Sequence, residues 1–181
     1  MKALMIFLLF SLAVSTSAYY TNINYTVSED YSINFTTKKA NGTMTGLSGE
    51  VNFKEEDIET ASMNVKVDVA TIKTGNKLKD KHARGSKWFD VKKYQTINFV
   101  SESVSKTNNQ YQVTGTLTIK DVSQKHTIDF RVEKNDNTTY LIGTTTVDRN
   151  EFNIEGNRFG FLVGDEVKVD LRVPANFKEQ T

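Results

Sequence analysis

The chain has 181 residues, of which 38% are hydrophobic and 25% are charged, a composition typical of one globular domain. Lys and Arg number 23 against 22 Asp and Glu, so the chain lacks the basic excess that supports nucleic-acid binding. It has no cysteine, which excludes disulfides, thiol nucleophiles and iron–sulfur clusters. Its two histidines, His82 and His126, argue against a multi-histidine metal site, and we expect no metal or organic cofactor.

Residues 1–18 have the layout of a secretory signal peptide. Lys2 precedes a mainly apolar run, residues 3–14, and small residues follow at 15–18. The apolar run is too short to cross a hydrocarbon layer about 30 Å thick. We therefore predict cleavage after Ala18, an exported domain at residues 19–181, and no membrane span in the mature chain.

Apolar and polar residues alternate over much of the remaining chain, which is typical of strands with one buried face. In segment 61–69 the apolar residues all fall on one side of the predicted strand: Ala61, Met63, Val65, Val67 and Val69. The alternation recurs in segments 110–120, 126–132 and 167–173. Less regular strands are predicted at 31–37, 42–53, 96–104 and 140–149, with short polar turns between them.

About eight such strands predict an all-β, antiparallel meander with one apolar face to bury. Eight strands closed into a barrel leave an interior that is either filled by side chains or large enough for one small ligand. A sandwich of two sheets satisfies the same alternation, so periodicity alone leaves both architectures open.

Residues 74–94 interrupt the strand pattern with lysines and the only tryptophan, Trp88. We predict a long connection with one or two short helices, interrupted at Gly85 and Ser86. Connections of this length in a compact domain are often lids over a site. Its apolar residues are expected to plug one end of a barrel: Leu78, Trp88, Phe89 and Val91.

Several short motifs follow one another from this connection onward. They are an Ile-x-Thr-Gly turn, Asp-x-His, an aromatic pair before Asp, and an Ile-x-Phe strand: Ile72, Thr74, Gly75, Asp80, His82, Trp88, Phe89, Asp90, Ile97 and Phe99. A Gly-x-Leu-Thr-Ile strand and a closing pair of strands come later: Gly115, Leu117, Thr118, Ile119, Lys120, Arg149, Phe152, Ile154, Gly164, Asp165, Glu166 and Val167. In this order the motifs resemble those of the YceI-like family, from about residue 25 to residue 173.

The resemblance implies an antiparallel eight-stranded lipocalin-like barrel with a short helical lid insertion. It also implies an exported protein that binds polyisoprenoids or other long-chain amphiphiles, and it is compatible with a homodimer. The chain departs from the family pattern at Tyr31, Ala83, Gln95 and Asp121, where histidine, leucine, proline and glycine are usual. These departures bear on the ligand more than on the fold.

Inward side chains of a generic barrel would be expected to fill a core, because protein interiors are close-packed. The resemblance instead implies a ligand cavity. The expected ligand-binding residues are Phe35, Met63, Val65, Val67, Leu78, His82, Trp88, Phe89, Phe99, Leu117, Ile119, Ile128, Phe130, Phe152 and Val169. For His82 we favour a structural hydrogen bond with Asp80 over a contact with a ligand head group, and for His126 a position at the barrel rim.

We expect a non-catalytic protein that carries or sequesters a polyisoprenoid, an isoprenoid quinone or a fatty-acid derivative. The main alternative is a filled barrel that acts as a protein-interaction or stress-protection module without a lipid ligand. A third hypothesis is a lipid hydrolase or isomerase that uses His82 and Asp80 as an acid–base pair.

Overall fold

The structure is a computed structural model, and it describes residues 30–135, 138–155 and 163–178. The predicted signal peptide lies outside the described residues. None of the described helices is long and apolar enough to cross a membrane.

Antiparallel strands form nearly all of the described secondary structure. The ten strand segments are β1 (Ser32–Thr36), β2 (Asn41–Met44), β3 (Leu47–Asn52), β4 (Ser62–Asp68), β5 (Thr96–Thr107), β6 (Gln110–Ile119), β7 (Val122–Asn135), β8 (Thr138–Asp148), β9 (Glu166–Pro174) and β10 (Asn176–Lys178). One α-helix, α1 (Lys77–Ala83), lies between β4 and β5. Short 3₁₀ helices cover Ile58–Thr60, Val69–Thr71 and Arg149–Phe152. The prediction of an all-β fold with a helical insertion is confirmed.

The strands form because their side chains alternate between the interior and solvent. On β6, for example, every second residue is buried, whereas the residues between them are partly or fully exposed; the buried residues are Tyr111, Val113, Gly115, Leu117 and Ile119. Asn108, with a φ of 56°, lies in the two-residue turn between β5 and β6. Asn tolerates this left-handed conformation better than most residues, so the turn suits the sequence.

The sheet closes on itself through one bent strand. The hydrogen-bonded order is β10-β3-β4-β5-β6-β7-β8-β9-β1-β2, and only Thr45 and Gly46 separate β2 from β3. Because β2 pairs with β1 while β3 pairs with β4, this strand connects the two edges. The Tyr31 hydroxyl bridges the bend by accepting a hydrogen bond from the Leu47 amide, at 2.9 Å. With β2 and β3 counted as one strand, the molecule is the predicted eight-stranded barrel, and β10 is an addition.

Gly46 is required at the bend. Its φ is 72°, a conformation that L side chains rarely adopt, and a Cβ there would lie 3.0 Å from Cβ of Asp68. The chain can therefore turn from β1 toward β4 within two residues.

Aromatic side chains close one end of the barrel. Phe53, Tyr111 and Phe130 are each 3% exposed, and their ring centroids lie 5.2–5.4 Å apart. The Tyr111 hydroxyl donates to Glu55 at 3.1 Å, which places its polar atom at the surface side of the cluster. We call this end the aromatic floor.

The connection between β4 and β5 covers the opposite end. Asn76 caps α1 by accepting hydrogen bonds from the amides of Leu78 and Lys79, at 3.0 and 3.1 Å. Lys73 and Thr43 exchange two backbone hydrogen bonds, of 2.9 and 3.0 Å, which hold the connection against β2. The barrel therefore has a closed aromatic floor and a helical lid at its two ends.

Candidate functional site

The barrel encloses an apolar cavity of about 640 Å³. This volume lies within the range of small-molecule binding sites. Side chains from β1 through β9 contribute to its wall. Along β6 the wall extends from Val113 to Ile119, roughly 20 Å at the rise of an extended strand. The interior is thus not filled by side chains, contrary to what a filled-barrel module requires.

Most of the residues that the sequence predicted as ligand-binding line this cavity. They are Phe35, Met63, Val65, Val67, His82, Trp88, Phe89, Phe99, Leu117, Ile119, Ile128, Phe130 and Val169. The strand residues share this position because strand alternation directs them to the inner face. Trp88 and Phe89 reach the cavity from the lid and pack against the core.

Two of the predicted residues do not line the cavity. Leu78 is 62% exposed, because α1 presents Lys79 and Ala83 to the cavity and adjacent helical residues point about 100° apart. The expectation that Leu78 helps to plug the barrel is therefore wrong. Phe152 is only 1% exposed, but it belongs to the packed core rather than to the cavity wall.

The polar residues of the wall are concentrated toward the lid. Lys39 lies in the turn after β1, and Lys79 and His82 lie on α1. Thr37 and Thr74 complete this polar mouth. The Lys79 ammonium donates a hydrogen bond to the Lys39 carbonyl oxygen at 3.2 Å, so the lid and the turn meet at the mouth. The cavity is therefore polar at one end and aromatic at the other.

Asp80 anchors the lid instead of pairing with His82. One of its oxygens accepts hydrogen bonds from the Thr74 amide at 2.7 Å and the Thr74 hydroxyl at 2.6 Å. These bonds, opposed by desolvation and assisted by Arg84 and Lys73, lower the pKa of Asp80. Residues two apart on a helix point about 200° apart, so Asp80 and His82 face different sides. The predicted pairing of these two residues is wrong.

His126 is a cavity residue that sequence analysis placed at the rim. Its Nε2 lies 2.7 Å from the Thr145 hydroxyl, and that hydroxyl donates to the Thr127 carbonyl at 3.0 Å. Because the Thr145 proton is committed to Thr127, Nε2 of His126 is assigned as the donor. Desolvation by burial lowers the pKa of His126, and the charge of Glu151 opposes this shift. The alternation with Ile128 and Phe130 was the signal that could have placed His126 in the wall.

Arg149 is a buried cation beside the cavity near the lid. It is 5% exposed, and its guanidinium donates to the Gly164 carbonyl at 2.8 Å, to the Ile154 carbonyl and to Asp165 at 2.9 Å. The guanidinium carbon lies 5.9 Å from the centre of the Trp88 ring. In the sequence Arg149 stands out only as part of a motif, because nothing in its local pattern indicates burial.

The indole nitrogen of Trp88 is a buried donor without a hydrogen-bond partner among the described residues. Buried polar groups are usually paired with protein or with another molecule. Trp88 lines the cavity, but its indole nitrogen itself is almost inaccessible to solvent.

This architecture defines a lipocalin-like barrel binding protein, an antiparallel barrel with an internal apolar cavity beneath a lid. The YceI-like domain family matches residues 19–175 of the chain. The chain belongs to that family.

The curated relatives include proteins named YceI and proteins named UPF0312. A UPF0312 protein of Vibrio parahaemolyticus is 29% identical over 168 residues, covering 88% of this chain and 82% of the relative. A UPF0312 protein of Photorhabdus laumondii is 32% identical over 83 residues, covering 46% of this chain. The chain spans only 43% of the length of the Photorhabdus protein.

Solved structures have the same fold. BcnA of Burkholderia cenocepacia matches with a TM-score of 0.74 at 27% identity, covering 80% of this chain and 96% of BcnA. The YceI protein of Campylobacter jejuni matches with a TM-score of 0.67 over 99% of this chain and 100% of its own, at 20% identity, which shows the shared fold. Family and fold together support a barrel binding protein.

Proposed function

We propose that this protein binds one long-chain amphiphile inside the barrel and carries or sequesters it without chemistry. The ligand is a polyisoprenoid, an isoprenoid quinone or a fatty-acid derivative. We further propose that the protein acts in the periplasm or outside the cell after removal of its signal peptide. The apolar run and small residues within positions 1–18 support this location.

The continuous apolar cavity carries the proposal. A ligand gains about 0.8 kcal/mol for each CH₂ group that it buries, so a dozen buried carbons outweigh the usual costs of association. Binding of this kind needs few polar contacts. It is consistent with a wall that is mainly apolar between the aromatic floor and the lid, with His126 and Thr145 as polar exceptions.

The one-sided polarity of the wall supports an orientation for the ligand. The chain would extend toward Phe130 at the aromatic floor, and the head group would lie near Lys79 and His82 at the mouth.

The environment of Asp80 favours binding over catalysis. Its carboxylate is committed to Thr74, so it does not orient His82 as an acid–base partner. A lipid hydrolase or isomerase built on that pair would need a different arrangement of α1.

Blocking the cavity tests the proposal. Val65→Trp places a large ring in the middle of the wall, whereas Lys66→Trp places the same ring on the exposed outer face of β4. Delipidated proteins are incubated with geranylgeraniol or palmitic acid, and bound ligand is counted by native mass spectrometry. We expect uptake of at least one probe by the wild type and Lys66→Trp, and a loss of at least tenfold in Val65→Trp.

Equal uptake by both variants would contradict binding inside the barrel. The absence of uptake by the wild type, for host lipids as well as for both probes, would favour the protein-interaction module. Turnover of a lipid that is lost in His82→Ala would favour the enzyme.

A further inference from the structure

Positive charge is strongly concentrated on the lid. Without residues 1–18, which contain one lysine, the chain has 22 basic and 22 acidic residues. Residues 73–93 alone contain eight basic and two acidic residues, a net charge of +6. The rest of the mature chain therefore has a net charge of −6, and the molecule is dipolar although it is neutral overall.

Six exposed lysines lie on the lid connection and on the neighbouring turn after β1, and two of them, Lys39 and Lys79, line the mouth of the cavity. The six are Lys38, Lys39, Lys73, Lys77, Lys79 and Lys81. None of them takes part in the ion pairs found between described residues. With the exposed Leu78 they form what we call the basic lid face.

An apolar side chain projects from the centre of this face. On α1, Lys77, Leu78 and Lys81 lie within about 100° of one another, on the side opposite Ala83, which lines the cavity. Leu78 is 62% exposed, and the only other large hydrophobic residue exposed in the described ranges is Val100. A leucine flanked by lysines on the outer face of a helix suits the boundary between lipid head groups and acyl chains.

We propose that the basic lid face docks on an anionic bilayer surface, with Leu78 inserted among the head groups. Lysines near such a surface are attracted by its negative potential, and a Debye length of about 8 Å at physiological ionic strength confines the attraction to groups close to it. Among the described residues the face has one exposed apolar anchor, Leu78, which fits a fluid surface better than a folded protein partner.

Acidic residues on the same end of the barrel set the angle of docking. Glu151 and Glu166, both exposed, belong to the connection between β8 and β9 and its edges. An anionic surface repels them, so the barrel is tilted toward α1 rather than upright. Asp80, the acidic residue of α1, keeps its negative charge while it accepts from Thr74, and the three lysines of α1 still leave the helix with a net charge of +2.

Docking places the polar mouth, with Lys79 and His82, beside the lipid surface. If the cavity holds an amphiphile, as proposed above, its ligand enters or leaves without crossing bulk water. Docking itself does not depend on that function, since Lys77, Leu78 and Lys81 lie outside the cavity wall.

Two charge-reversal variants test the docking. Lys77→Glu/Lys81→Glu changes the outer face of α1 and leaves the cavity wall intact. Lys54→Glu/Lys106→Glu makes the same charge change at the other end of the barrel, near the aromatic floor, where both lysines are exposed. Cosedimentation is measured with vesicles of equimolar phosphatidylglycerol and phosphatidylcholine, and with phosphatidylcholine alone, at about 0.15 M salt. The N-terminus of each exported protein is verified by mass, because an uncleaved apolar leader would bind vesicles.

We expect the wild type to sediment with the anionic vesicles and not with phosphatidylcholine. Lys77→Glu/Lys81→Glu should weaken this binding by at least about tenfold, and Lys54→Glu/Lys106→Glu by less than about twofold. Leu78→Ser should weaken it severalfold, because the lysines remain but the anchor is lost.

Three results would overturn the docking proposal: no wild-type binding to anionic vesicles, equal losses in the two charge variants, or no loss in Lys77→Glu/Lys81→Glu. Uptake of geranylgeraniol and palmitic acid is measured separately without vesicles. Vesicle binding without uptake would refute the ligand-binding function and leave docking standing. Uptake without vesicle binding would refute docking and leave the ligand-binding function standing.

Discussion

Arg149 is the residue whose removal we expect to be most destabilising. Arg149→Met keeps much of the buried volume but leaves the carbonyls of Gly164 and Ile154 without their donor. Unpaired buried acceptors are costly, so the free energy of unfolding should fall by about 3 kcal/mol, measured by urea denaturation.

A matched arginine on the surface provides the control. Arg131 pairs with Glu133 at 3.2 Å, and both side chains are about half exposed. Arg131→Met should therefore change the free energy of unfolding by less than about 1 kcal/mol. If the free energy of unfolding fell by similar amounts in the two variants, the buried hydrogen bonds of Arg149 would contribute little to stability.

His126 gives the barrel an acid-sensitive component of stability. Burial lowers its pKa, so the folded state holds this proton less tightly than the unfolded state, whose pKa is about 6.5. The contribution is present above pH 6.5 or so and is lost as pH falls through the folded pKa. His126→Gln should flatten the decline of stability in that window, as followed by thermal melts at a series of pH values. An unchanged pH profile would contradict this assignment.

The lid is an element whose order depends on Asp80. Loss of the two hydrogen bonds from Thr74 should release α1 from the end of the connection that follows β4. In Asp80→Ala we expect amide hydrogen exchange over Lys77–Ala83 to accelerate by about tenfold, while exchange in β6 stays unchanged.

Asp57→Ala is a suitable comparison, because Asp57 precedes the 3₁₀ helix Ile58–Thr60 without capping it through its side chain. Its exchange pattern over α1 should match the wild type. Faster exchange throughout the barrel in Asp80→Ala would indicate global destabilisation instead of a loosened lid.

Some features of the strands could be predicted from the sequence, and others could not. Strict alternation in β4, β6 and β9 determined which side chains face inward, because a period of two leaves no other choice. The bend at Thr45 and Gly46 was not visible, since Leu47 and Val51 continue an apolar pattern that resembles one strand. The short β10 was missed because its pairing with β3 depends on closure of the whole barrel.

At the scale of the whole molecule, the cavity itself could not be derived from alternation. The pattern says that Val65 of β4 and Ile128 of β7 face inward, but not whether such side chains meet across the barrel. That depends on how far the closed strands hold opposite walls apart. For the same reason Leu78 was misplaced: its hydrophobicity suggested a plug, whereas the orientation of α1 turns it to solvent.

The central claim is that a long-chain amphiphile occupies the barrel. The most direct test is native mass spectrometry of the protein exported from its own host, followed by organic extraction and identification of the released material. We predict a stoichiometric prenyl or acyl species that dissociates from the protein on extraction. A mass equal to that of the bare chain, unchanged after incubation with host lipids, would contradict the claim.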